Sequence, residues 1–436
     1  MNLPDVLGAA DPVSRRAFLS GLAKSAFGVA ALPALPQRLL APRAGDEPIP
    51  LRPATARQVI YLFLRGGLSH LDTFDPKPGT PGAGPVQAIA TKALGVQLSQ
   101  YLPELAKVAD RIAVVNALSS TQGAHAQAQY FLRTSYELRG TIQHPGLGVW
   151  ANRMGGKLNP MLPGHVVIGG GPDLAASGWM PPQYLPLPIG DAKTGLLHGE
   201  RPAGVSETQF VRRLELLRKM NEGFANRYDH KGVRAYGDMY AEAVRLMRSA
   251  DLAAFDVDLE PASIRAGYGD SAFGQGCLLA RRLVEHEVRY IEVVSDGWDT
   301  HNQNFDQLEE KLPEIDRALA ALIADLDARG LLHETLVVLA TEFGRTPDIV
   351  QENNGRNHYP KAFSALLAGG GVRGGIRWGR TDATGHEVVE GRMTVPDFNA
   401  TIAHALGLPV EHVLHAPSGR PFTVADKGRP VLGLFA

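Results

Sequence analysis

The chain has 436 residues, 44% hydrophobic and 20% charged, an ordinary globular composition with enough length to bury a large core. Its 44 basic and 45 acidic residues leave a net charge of −1, which gives no basic footprint for nucleic acid. The single cysteine, Cys277, excludes an internal disulfide, and its spacing from Phe273 and Val284 marks it as a buried helix-face thiol.

The N-terminal segment Ser14-Arg15-Arg16-Ala17-Phe18-Leu19 fits a twin-arginine export signal, an address read by a receptor that exports folded cargo. The alternative is an amphipathic helix with an accidental arginine pair. The following apolar stretch from Ala17 to Leu35 is interrupted by Lys24 and falls short of a spanning helix. A Pro-rich linker from Pro33 to Pro53 comes next. Residues 1–57 are therefore expected to be signal and linker, with a periplasmic or secreted product and no stable membrane span after export.

One α/β domain is expected over 58–436. Val59 to Leu64 reads as a buried central strand and Ile112 to Val115 as a second, followed by a helix from Ala124 to Arg133. From about 155 to 265 an insertion is expected. Its first part is Gly- and Pro-rich and carries Trp179 and Tyr184, which would suit a substrate wall; two helices with Phe210, Leu214, Val244 and Met247 on their inner faces follow. Then come a helix at 271–286, a strand at 288–294, a long helix with Leu312, Ile315, Leu319, Leu322 and Leu326 on one face, strands at 335–341 and 363–368, and a helix from Asp397 to Leu406. Strands alternating with helices predict a mostly parallel sheet covered on both faces, a three-layer α/β/α architecture.

Polar groups collect where these strands end, the place where open α/β sheets bind ligands. Asp296, Asp299 and His301 follow one strand; they are either metal or catalytic groups or the cap of the next helix. Glu342 and Arg345 follow the next strand, as a ligand or base with an anion clamp, or as an ion pair that orders the turn. Arg356 and His358 precede an apolar strand, and His125 sits beside the Ser119-Ser120-Thr121 run, where a nucleophile or helix-capping hydroxyls are expected. This set suits one divalent ion, zinc before manganese or calcium, held by Asp296, Asp299, His301, Glu342 and His358. His125, Glu342 and Arg345 are the candidate catalytic groups; Arg345, Arg356 and His70 are the candidate anion-binding groups. The triplets Gly169-Gly170-Gly171 and Gly369-Gly370-Gly371 lack the Gly-Lys-Ser/Thr of a phosphate loop, so no nucleotide cofactor is expected.

Several segments carry a resemblance: Gly66-Gly67-Leu68-Ser69-His70-Leu71-Asp72-Thr73-Phe74-Asp75, Gly123-Ala124-His125-Ala126-Gln127-Ala128-Gln129-Tyr130, Phe273-Gly274-Gln275-Gly276, Gly297-Trp298-Asp299-Thr300-His301, Glu342-Phe343-Gly344-Arg345-Thr346-Pro347 and His358-Tyr359-Pro360. Over about 58–410 the chain resembles a family of uncharacterised exported bacterial proteins related to sulfatases, within the alkaline phosphatase-like superfamily. That resemblance implies a sulfatase-like fold and a two-metal site with a nucleophile between the ions. Asp296 or Asp299 with His301, and His358, match one metal site. The Asp-His pair of the other appears as Glu342-Phe343, and Arg65-Gly66-Gly67 stands where an Asp is expected. The implied function is an exported hydrolase of phosphate or sulfate esters acting on an anionic small molecule or a sulfated or phosphorylated glycan. The alternative is a non-catalytic scaffold that binds a glycan or protein partner.

Overall fold

The computed structural model describes residues 49–171, 174, 176–196, 204–227, 242–247 and 249–436, and the expected export signal lies outside them. The chain divides into two compact units, one of residues 48–195 with 254–436 and one that includes 196–253.

In the larger unit a sheet of nine strands is built from β1 (Gln58–Leu64), β2 (Ile112–Ser119), β3 (His165–Ile168), β4 (Leu187–Ile189), β5 (Tyr290–Ser295), β6 (Thr335–Ala340), β7 (Phe363–Ala368), β8 (Ile376–Trp378) and β9 (Met393–Thr394). Their order is β8-β2-β7-β6-β1-β5-β3-β4, with β9 also paired to β2. All pairings are parallel except those of β7, which runs antiparallel to both β2 and β6. Every residue of β1, β2, β6 and β7 is buried, as strands covered on both faces require.

The two faces separate by the period-2 alternation of the strands. Val59, Tyr61 and Phe63 point into a core with α1 (His125–Thr134), α2 (Leu147–Gly155) and α5 (Val395–Ala405), represented by Leu132, Trp150 and Phe398. Leu62 and its register partner Val293 face the other way, toward α3 (Ala272–Glu285), where a Cβ added to Gly276 would stand 2.8 Å from Val293 Cγ1. α4 (Asn304–Ala328) lies against α3, and the fully buried Arg281 of α3 pairs with Asp325 of α4 at 3.0 Å. The fold is thus the expected three-layer α/β/α arrangement around a mostly parallel sheet. Cys277 is buried in α3, and burial pushes its thiol well above the usual range.

The insertion differs from expectation. Its Gly- and Pro-rich part is not a free loop: it supplies β3 and β4, which extend the sheet beyond β5. Trp179 and Tyr184 are half-buried and pack against the main core. The second unit contains the helix Glu207–Arg227 and its own small core of Phe210, Leu214, Val244 and Met247.

Candidate functional site

Parallel strands deliver their C-terminal ends to one edge of the sheet, and the reversed β7 delivers its N-terminal end to the same edge. The loops after β1, β2, β5 and β6 and the loop before β7 therefore meet there. They bring together His125 at the start of α1, Asp299 and His301 after β5, and His358 before β7. Two stitches fix the His301 loop: Gln303 N–H donates to Asn353 O at 2.8 Å and Asn304 N–H to Asn354 O at 2.9 Å. A Cβ on Gly355 would overlap His301 O at 1.6 Å, so only glycine permits this approach. His358 lies opposite Arg345 in a short antiparallel ribbon of 344–345 with 358–359.

Glu342 is fully buried and stands behind His125. Its Oε1 accepts from Gly66 N–H (2.9 Å), Gln129 Nε2–H (3.1 Å) and His125 Nδ1 (2.8 Å), and its Oε2 accepts from Thr341 Oγ1 (3.3 Å). The Gly66 contact depends on a φ of +128° and on a Cβ-free approach, since a Cβ there would lie 2.5 Å from Asp299 N. A carboxylate receiving this many donors makes His125 Nδ1 the protonated nitrogen. Its Nε2 then faces Asp299 Oδ2 at 3.2 Å, buried and without a hydrogen-bond partner.

His358 repeats the pattern. Its Nδ1 donates to Gly123 O at 2.9 Å, so its Nε2 carries the lone pair, 2.9 Å from His301 Nε2 and 3.4 Å from Asp299 Oδ1. His301 Nε2 in turn lies 3.2 Å from Asp299 Oδ1. Ligand atoms of His125, Asp299 and His358 all fall within 4.8 Å of one another. Two imidazoles whose outer N–H groups are anchored by a carboxylate and a carbonyl, and whose inner nitrogens converge on a carboxylate, fit a divalent ion.

The local field divides these groups. The hydrogen bond to Glu342 raises the pKa of His125, whereas burial lowers that of His358. Burial acts to raise the carboxyl of Asp299, but the Arg345 guanidinium, 2.5 Å from Oδ1, offsets this and holds it below the usual range. With side-chain exposures of 30% for His125, 46% for Asp299, 37% for His301 and 24% for His358, a ligand can reach the cluster from solvent.

Other sequence candidates fall elsewhere. Asp296 is exposed and pairs with Arg65 at 3.4 Å, outside the cluster. Glu342 orients His125 instead of offering a free oxygen to an ion. Arg345 is fully buried; its guanidinium donates to the carbonyls of Gly67, Arg356, Gly66 and Trp298 and to Asp299, so it positions Asp299 and is no anion clamp. Arg356 is likewise buried, bound through two nitrogens to Asp72 (2.8 and 2.9 Å) and to the carbonyls of Thr346, Pro347 and Gly82, leaving nothing for a substrate anion. His70 is buried and bonded to Gly385 O at 2.9 Å. The Ser119-Ser120-Thr121 hydroxyls do not cap α1, whose N-cap is Ala124 without a side-chain bond. Gln129 and Gly123 join the site from outside the sequence candidates: Gly123 O holds His358, and the i, i+4 spacing of His125 and Gln129 on one helix face is the local signal that both these side chains reach Glu342.

Fold and site define a three-layer α/β protein with an imidazole–carboxylate cluster at the strand-end edge of its sheet. The chain belongs to the family described as "Protein of unknown function (DUF1501)", whose model matches residues 56–435. No curated protein matches it. Among solved structures it is similar to PsFucS1 sulfatase from Pseudoalteromonas sp., at 14% identity and a TM-score of 0.41, covering 86% of this chain and 73% of that one. It is also similar to the lipoteichoic acid synthase LtaP from Listeria monocytogenes, at 8% identity and 0.39, over 86% and 78% of the two chains. The C-terminal periplasmic domain of EcEptC from Escherichia coli, in complex with Zn, aligns at 10% identity and 0.36, over 89% and 99%. Among the described residues no helix is long and apolar enough to cross a membrane.

Proposed function

We propose that this protein is an exported, metal-dependent hydrolase of phosphate or sulfate esters. The observation that carries the reading is the convergence of His125 Nε2, His358 Nε2 and Asp299 on one point, each imidazole held by its outer N–H. The ester class comes from the resemblance of the strand-end segments to the alkaline phosphatase-like superfamily, and a sulfated or phosphorylated glycan is the favoured substrate. His125, Asp299 and His358 would hold one divalent ion, zinc first. When bound, such an ion supplies Lewis-acid polarisation of an ester oxygen and lowers the pKa of water. Glu342 and Gly123 fix the tautomers of the two ligand histidines. Arg345 pins Asp299. His301 Nε2 lies beside this point, 2.9 Å from His358 Nε2 and 3.2 Å from Asp299 Oδ1; with the His358 lone pair given to the ion, His301 would be the group placed to hand a proton to a departing oxygen.

One observation favours a second reading, a binding scaffold without turnover: the four clustered groups include no hydroxyl or thiol nucleophile, and Arg345 already occupies one oxygen of Asp299. Elemental analysis and calorimetric titration with zinc, manganese and calcium separate the possibilities, followed by a screen of aryl phosphates and aryl sulfates. The hydrolase reading expects about one ion per chain, lost in Asp299→Asn and His358→Ala, with ion-dependent turnover. Absence of binding with all three ions sinks it. An ion bound without turnover of any ester supports the scaffold.

A further inference from the structure

At the same edge of the sheet lies a groove of about 470 Å3 that the cluster does not use, with Ser119, Ser120, Thr121, Lys361, Arg392 and Thr394 among its walls. That volume falls in the range of small-molecule sites, roughly 300–1,000 Å3. Its charge is unbalanced: two cations, Lys361 and Arg392, and one carboxylate, Glu387, line it. The Lys361 side chain is exposed and has neither a hydrogen bond nor an ion pair among the described residues, and among them the Arg392 guanidinium donates only to Val388 O at 3.1 Å. Both cations therefore keep N–H groups for a ligand, unlike the saturated Arg345 and Arg356.

The groove and the cluster share one backbone seam. Ser120 N–H donates to Pro360 O at 2.8 Å, and His358 on the same segment donates to Gly123 O at 2.9 Å. Lys361 directly follows Pro360, so a ligand lying along the seam would touch His358 with one part and Lys361 with another.

We infer that this groove is an anion subsite: it takes a second acidic group, sulfate, phosphate or carboxylate, of an extended ligand whose first acidic group sits at the histidine cluster. The Arg392 fork suits paired oxygens and the Lys361 ammonium is a point charge for the same group. Ser120 and Thr121 supply hydroxyls beside them. The reach to the cluster rests on the hydrolase reading above; anion capture in the groove does not.

The test uses the full chain, titrated at low salt with a sulfated tetrasaccharide and with inorganic tetraphosphate. The proteins are wild type, Lys361→Met/Arg392→Met and the charge-retaining Lys361→Arg/Arg392→Lys. The expected result is binding by wild type, at least tenfold weaker in the double Met variant, restored in the charge-retaining one, and weakened by added salt. The tighter of the two probes tells sulfate from phosphate. Unchanged binding in the double Met variant overturns the inference, as does no binding by wild type. Zinc uptake measured on the same proteins keeps the two readings apart: a groove that binds in a protein that takes up no metal sinks the hydrolase and leaves the subsite standing.

Discussion

Glu342 illustrates how one buried side chain can serve a site without touching what binds there. Its contacts set the tautomer of His125, and groups of this kind behind a metal ligand are typically worth 10–100-fold in affinity. Glu342→Gln keeps the shape but brings amide hydrogens against the Gly66, Gln129 and Thr341 donors; zinc affinity by competition with a chromophoric chelator is expected to fall within that range. A variant that binds zinc as wild type does would remove Glu342 from the site. His301→Gln separates the roles within the cluster: the ion should stay while ester turnover drops by roughly 10²–10⁴, the usual worth of a general acid. Arg356 makes the opposite case. Because it is sealed against Asp72, Asp72→Asn leaves a buried guanidinium uncompensated and should cost about 3–5 kcal/mol of stability, read from the urea midpoint. The sequence placed Asp299, His301 and His358 at the strand ends, where the structure gathers them. It misread Arg345, Arg356 and His70, because burial and saturation by carbonyls come from distant segments and leave no local mark.

At the scale of elements, the strands were legible where apolar runs are continuous: β1, β6 and β7 lie where the hydrophobic pattern places them. β3 and β4 were not. They have four and three residues, sit amid glycine and proline, and exist as strands because β5 offers an edge to β3 and β3 in turn offers one to β4. Helix ends were readable where capping chemistry is local. Ser271 accepts from Gly274 N–H at 3.0 Å and starts α3, the helix that presses Gly276 onto Val293. Ser271→Ala should cost about 1 kcal/mol, the usual value of an N-cap, with the urea midpoint lowered and the m-value unchanged. A shift in m-value would mean that more than the first turn of α3 had loosened.

Over the whole molecule, the sheet carries polar groups in its interior, and these tie stability to pH. His165 of β3 is buried and neither ring nitrogen has a hydrogen-bond partner; it shares a cavity with Tyr61, Tyr290 and the Arg133–Glu292 pair, whose two contacts are both 3.0 Å. Burial, aided by the charge of Arg133, lowers the pKa of His165 to about 3. In the unfolded chain the same imidazole titrates at its ordinary value, near 6.5. Between those two values the unfolded state binds the extra proton, so stability rises with pH and is lost as pH falls below about 6.5. The slope for one such group is about 1.4 kcal/mol per pH unit, which amounts to about 3 kcal/mol between pH 6 and pH 4. Burial lowers the pKa of His70, His144, His358 and His404 in the same direction, so these groups add to the loss of stability in acid, while His125, Asp316 and Asp426, whose values are raised, act against it. His165→Gln isolates the contribution of one site, because glutamine has a similar polar reach and no proton to take up in this range. Urea unfolding of both proteins at pH 7, 6, 5 and 4 should give a stability difference that moves in favour of the variant by about 3 kcal/mol from pH 6 to pH 4, whatever its offset at pH 7. Parallel curves would mean that His165 is protonated as readily in the fold as out of it, and that the acid limb belongs to the other histidines.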